Sequence, residues 1–237
     1  MNKMGKRNIV LNIPHSSING IFDAKIGGWG CNPHFINDCV RKWTDWFTDM
    51  LFNSDNENVK KVVFPYSRFV CDVERLVNDS MEKEGQGIIY THFGGYKRKT
   101  LNGEERNMLM GIYNAHQQKL ISSMDKNSVI IDCHSFPSEL SDVNICIGYN
   151  DDWSYDKKIV EGVVKEFEKS GYTVSINRPY SNSITPYTSF EYPSLMIEVN
   201  KKVYMNESLC TLNRNQRQWM RWYGCLNRIY EKIIGDE

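Results

Sequence analysis

The chain has 237 residues, 41% hydrophobic and 24% charged, with 29 basic against 29 acidic side chains. That length can bury a sizeable core and is read as a single domain spanning 1–237. A formal charge of zero gives no general affinity for polyanions, so no nucleic-acid partner is expected, and no apolar run is long enough to span a bilayer.

Taken in order, the basic start Met1 to Arg7 leads into an Ile-Val-Leu run too short for a signal-peptide core, so a cytoplasmic location is expected. Residues 8–14 read as a strand that ends in Pro14-His15-Ser16-Ser17. Residues 34–53 carry Phe35, Cys39, Trp43, Trp46, Phe47, Met50 and Leu51 at helical spacing. Val59 to Tyr66 is a second strand, and the polar, glycine-containing stretch 76–102 a loop or lid. A helix follows from Glu104 to about Asp125, then the clearest strand, 128–134. Further strands are expected over 143–148, 172–176 and 195–199, with helices over 155–170 and 208–234. Strands alternating with helices predict an α/β sandwich. The seven cysteines form no CxxC pair and are odd in number, which argues against a disulfide framework or a structural zinc knuckle.

Two apolar strands therefore end in histidine, His15 and His134, and ligands of such sheets gather beyond the carboxyl ends of the strands. A neutral imidazole at a rigid strand end is a good zinc ligand, and Asp132 or a nearby carbonyl could orient His134. A third ligand is available from Asp45 or Asp49, four residues apart in the 34–53 helix; periodicity leaves the choice between them open. Glu198 lies inside the apolar strand Leu195–Val199, where burial without a function is expensive. A glutamate beside a metal-bound water is the expected general base for amide hydrolysis, and Glu198 is the catalytic candidate. Arg68 and Arg75, in Ser67-Arg68-Phe69-Val70-Cys71-Asp72-Val73-Glu74-Arg75, could grip a substrate carboxylate or form an internal cluster with Asp72 and Glu74. Arg178, in Asn177-Arg178-Pro179-Tyr180, is a further candidate. Tyr113 and His116 share a helix face, while His34 and His92 read as surface residues.

Five blocks in order resemble the N-formylglutamate amidohydrolase (N-formylglutamate deformylase) family. They are Ile13–Ser17, Thr44–Asp49, Ser67–Arg75, Asp132–Ser135, and Ile197–Asn200 with Tyr204-Met205. The resemblance implies a zinc-exopeptidase-like, three-layer α/β sandwich with a central mixed β-sheet. It also implies Zn2+ held by His15, Asp45 and His134, with Glu198 as base. By the same carry-over Arg68 and Arg75 look like substrate-carboxylate partners, and Arg178 and Asn200 are further substrate-binding candidates. The implied substrate is a small N-acyl amino acid such as N-formylglutamate.

Two departures from the family's pattern stand out. Glu74 replaces the Asn usual before the second arginine, adding negative charge beside the carboxylate grip. Asn182-Ser183 stands where Gly-Gly is common, with side chains that could reshape a pocket. The competing expectations are a zinc peptidase or cell-wall muramoyl amidase, which needs an open groove, and a non-catalytic binding descendant of the same fold.

Overall fold

The computed structural model describes residues 6–30 and 32–235. Most of the basic N-terminal segment and Cys31 lie outside the described residues. The described residues divide into two compact units, one of residues 6–13, 47–62 and 120–235 and the other of residues 14–30, 32–46 and 63–119.

The first unit is built on a six-stranded sheet of β1 (Asn8–Ile13), β2 (Val59–Val63), β3 (Ser128–Phe136), β4 (Ile145–Gly148), β5 (Val174–Ile176) and β6 (Ser194–Asn200), in the order β2-β1-β3-β6-β4-β5. β1, β3 and β6 run parallel; β4 is antiparallel to β6 and parallel to β5. Every residue of β3 and β6 is buried. A strand covered on both faces needs apolar side chains at nearly every position, which explains the unbroken Val-Ile-Ile and Leu-Met-Ile runs. Strand alternation then sorts the layers. Val10 and Ile130, paired in register, pack with Val62, Ile184, Tyr192 and Leu120, the last from the end of helix α1 (Gly103–Ser122). Against the opposite face lie helices α2 (Lys157–Lys169) and α3 (Gln216–Ile234), the latter bringing Tyr230 near Cys133. The mixed sheet between two covering layers is the expected α/β sandwich.

In the second unit, one apolar cluster gathers Phe64, Val70, Cys71, Val73, Ile88, Ile89, Leu109 and Tyr113. An aromatic cluster lies beside it, in which Trp29 stacks on Phe35 with ring centroids 4.5 Å apart and Tyr90 stacks on Phe93 at 5.5 Å. Irregular backbone buried here needs hydrogen-bond partners, and the buried Arg98 supplies them. It donates to the carbonyls of Val70 (3.1 Å), Tyr90 (3.4 Å) and Ile26 and lies over the Trp29 ring. The 76–102 stretch is more structured than a loop. It holds a 3-10 turn at Ser80–Glu82 and a short antiparallel pair, His92–Phe93 with Tyr96–Lys97.

Two expected helices differ. The 34–53 segment is not one helix but short pieces, Pro33–Phe35, a π turn at Ile36–Val40, Arg41–Trp43 and Thr48–Leu51. Thr44 turns extended (ψ 134°) and Phe47 takes a left-handed φ of 63°, so Asp45 and Asp49 do not share a helical face. The last helix begins at Gln216, capped by Asn215, because Met205–Asn206 and Thr211–Leu212 pair as strands before it. The six described cysteines are free thiols. Among the described residues no helix is long and apolar enough to cross a membrane.

Candidate metal centre

β1 stops at Ile13 and the chain turns through Pro14 into His15, which is 2% exposed. The His15 carbonyl accepts the Asp45 amide (3.0 Å), made possible by the extended break at residues 44–47. The ring is gripped from behind, with Nε2 2.9 Å from Oδ1 of the fully buried Asp72. An ionised carboxylate only accepts, so Nε2 carries the proton and donates. Nδ1 then faces carboxylates: Asp45 Oδ2 at 3.7 Å and Glu74 Oε2 at 4.0 Å. An imidazole nitrogen opposite two carboxylate oxygens, its other nitrogen fixed by a third, is a donor set that fits a divalent cation. Of the two candidate acids, Asp45 is buried beside His15, whereas Asp49 is half-buried and belongs to the other unit.

Asp72 organises this unit. Besides His15 it accepts from Arg68 Nη2 (2.9 Å), the Tyr90 hydroxyl and the Glu74 amide (3.1 Å), with Arg75 Nε at 3.8 Å. Burial alone would raise its pKa, but His15, Arg68 and Arg75 outweigh that and hold the carboxyl well below its usual range. Both readings of the two arginines can hold together. They form an internal cluster with Asp72, and a guanidinium's five donors are not exhausted by one carboxylate. Helix α1 fixes the backbone of this segment, since the Tyr113 hydroxyl donates to the Arg75 carbonyl (2.9 Å) and Gln117 Nε2 to that of Val73 (2.7 Å). His116 is a core residue, packed edge-on against Phe64, and burial pushes its pKa down to about 4. His34 and His92 are exposed.

In the first unit His134 and Glu198 are register partners on parallel strands, and Cys146 lies opposite Glu198 on β4. Register partners point to the same face, so His134 and Glu198 stand side by side. Both are more than nine-tenths buried. On that face, toward the amino ends, Asp132 accepts from Asn12 Nδ2 (2.8 Å) and from the Ile184 amide. One sheet face thus passes from apolar (Val10, Ile130) to polar (Asp132, His134, Glu198) toward the carboxyl ends of its strands, as ligand-binding α/β sheets do. Asn200 is buried, its Nδ2 donating to the carbonyls of Ser141 (2.9 Å) and Val143 (3.0 Å) and its Oδ1 capping Lys202, contacts that hold local backbone. Arg178 is exposed in the turn after β5. Asn182 adopts φ 74°, a conformation that asparagine tolerates better than most side chains, which is how it can stand where glycine is common.

Sequence reasoning missed the partnership of His15 with Asp72, the turn of Glu74 toward His15, and the Gln117 tether. The signal for the first was an acid framed by two arginines within eight residues, a pattern that demands a buried partner for the acid.

Comparisons with known proteins identify the family and the fold. The family model described as N-formylglutamate amidohydrolase matches residues 8–205. Similar solved structures include the N-formylglutamate amidohydrolase from Ralstonia eutropha JMP134, with TM-score 0.79 and 16% identity over 99% of this chain and 97% of that one. They also include gene product Atu2144 from Agrobacterium tumefaciens, with TM-score 0.65 and 16% identity over 98% and 92%. Among individually curated proteins no match was found. At such identities the structures speak for the fold, while the family match covers all five motif blocks. The chain belongs to the N-formylglutamate amidohydrolase family.

Proposed function

We propose that this amidohydrolase is zinc-dependent, works as one catalytic domain, and cleaves the amide of a small N-acyl amino acid such as N-formylglutamate, giving formate and glutamate. The observation that carries the reading is the His15 imidazole, held by Asp72 on one nitrogen and turned to carboxylates on the other. His15, Asp45 and His134 are the metal ligands. Bound zinc supplies a Lewis acid for the scissile carbonyl and lowers the pKa of water to about 7 in favourable sites. Glu198 takes the proton of the attacking water and returns it to the leaving nitrogen as the C–N bond breaks. Arg68, Arg75 and Arg178 bind the substrate carboxylates and orient the amide, converting binding energy into alignment. The free thiols suit a reducing compartment, and we assign the reaction to the cytoplasm.

The test joins metal quantification of the purified chain with assays on N-formyl, N-acetyl and dipeptide substrates. Glu198→Gln is expected to keep its zinc and to lose about 100- to 10,000-fold in kcat, the usual scale for a general base. A Glu198→Gln protein with full activity, or a wild type that retains no metal, overturns the proposal.

A further inference from the structure

Across the sheet of the first unit, one row of register partners runs from His134 on β3 through Glu198 on β6 and Cys146 on β4 to Ser175 on β5. Register partners share a face, so the Cys146 thiol and the Ser175 hydroxyl stand in line with Glu198. Both side chains reach the turn that follows β5. Cys146 Sγ donates to the Tyr180 carbonyl (3.2 Å), and the Ser175 hydroxyl donates to that of Arg178. The thiol is fully buried, and burial raises its pKa, so it keeps the proton that it donates. The rest of the turn is tied down as well. The Asn177 amide donates to the Ile147 carbonyl (2.9 Å), and Asn177 Oδ1 accepts from the Tyr149 amide (3.0 Å). The Tyr180 ring meets that of Phe136 edge-on, with centroids 6.5 Å apart. Arg178 itself is exposed, and among the described residues its guanidinium makes no hydrogen bond or ion pair. A free guanidinium on a clamped backbone has only its own side chain left to order when a carboxylate binds.

We propose that Cys146 and Ser175 are positioning residues, which fix the turn carrying Arg178 to the strands beside Glu198 and so set where that arginine meets a substrate carboxylate. A misplacement of about 1 Å in a group that aligns a substrate can cost ~100-fold in rate. The two anchors therefore tune which acids the enzyme accepts without touching them. This inference rests on the roles proposed for Glu198 and Arg178 above.

The experiment measures kcat and KM on N-formylglutamate, with zinc supplied, for wild type, Cys146→Ala, Cys146→Ser, Ser175→Ala, Arg178→Ala and the double variant Cys146→Ala/Arg178→Ala. Arg178→Ala is expected to raise KM about tenfold or more, the scale of a lost hydrogen bond to a charged group. Cys146→Ala is expected to raise it about three- to tenfold, with a smaller change in kcat. Cys146→Ser keeps a donor at that position and is expected to recover most of the loss. In the Arg178→Ala background, Cys146→Ala is expected to add less than about twofold, because a residue acting through the arginine has nothing left to position. Ser175→Ala, on the half-buried edge strand, gives the same readout should the core variant fail to fold. Unchanged KM in Cys146→Ala and Ser175→Ala, or losses that multiply in full with that of Arg178→Ala, overturn this inference and leave the amidohydrolase reading standing. Wild-type kinetics in Arg178→Ala remove the arginine from the site and overturn the inference with it. A wild type inactive on every N-acyl amino acid overturns both.

Discussion

Asp72 shows how much one residue can carry. No water reaches its carboxylate, yet it is kept ionised by the imidazole of His15, the guanidiniums of Arg68 and Arg75 and the hydroxyl of Tyr90. Removing one member of a buried charged network strands the others, which costs about 3–5 kcal/mol. Asp72→Asn is therefore expected to lose that much in urea unfolding of the metal-free protein. A second buried acid works at a distance from the site. Glu166 on α2 is gripped by Lys232 of α3, with Arg228 at 3.1 Å and Lys169 at 3.5 Å. The hydrogen bond from Lys232, more than any other contact, brings its pKa to about 2 from 4.5. A depressed carboxylate pKa means that this stabilisation is complete above pH 4.5 and is lost as the pH falls through the window down to about 2. Glu166→Gln is expected to flatten the stability profile in that window. At pH 7 it loses about 1–2 kcal/mol, a figure reduced for the solvent around the cations. Chemical denaturation across that pH range reads both effects.

Among the elements, the break inside residues 34–53 matters most for the proposed metal centre. Aromatic periodicity there is helical, and nothing in Trp43-Thr44-Asp45-Trp46-Phe47 announces a stop, because neither glycine nor proline is present. The stop comes from an extended Thr44 and a left-handed Phe47, and it lets the Asp45 amide reach the His15 carbonyl. A non-glycine residue in that conformation costs about 1–2 kcal/mol, a strain of the sort that concentrates at functional sites. By contrast, Gly94-Gly95, with φ of 57° and 82°, makes the turn between the strands at 92–93 and 96–97, within a stretch that the sequence suggested only as a loop or lid. Tight packing of the irregular parts gives a direct check at Gly27, where a Cβ would lie 1.8 Å from the Ile21 carbonyl oxygen. Gly27→Ala is expected to cost more than about 2 kcal/mol, the range of severe steric substitutions. Helix α2 offers a milder one. Asp156 caps it by accepting from the Ile159 amide (3.1 Å), so Asp156→Ala loses about 1 kcal/mol, plus a little for its ion pair with Arg7. Thermal unfolding of both variants beside wild type measures the difference.

For the whole molecule, strands were the legible part and pairings across the chain were not. Burial on both faces writes itself into β3 and β6 as unbroken apolar runs, so a polar residue within them, such as His134 or Glu198, stands out. The bond between His15 and Asp72 spans 57 residues and leaves no local trace. The two arginines stood out in their own segment, with Asp72 and Glu74 as the partners of one reading, and Asp72 is the carboxylate that they hold. If the chain binds zinc as proposed, a ligand that favours the folded state stabilises it by mass action, by about 2.7 kcal/mol at a free concentration 100 times Kd. Stripping the ion with a chelator is then expected to lower Tm, and adding zinc back to restore it; a Tm indifferent to both would count against a bound metal.

The tethers from α1 have a practical consequence for anyone seeking to change what this enzyme accepts. Tyr113 and Gln117 hold the backbone of Val73 and Arg75 from outside the charged cluster. If Arg75 grips the substrate as proposed, laboratory evolution for a new acid side chain could start on that helix, where exchanges shift the Arg75 backbone without altering its charge and spare the proposed metal ligands from mutation.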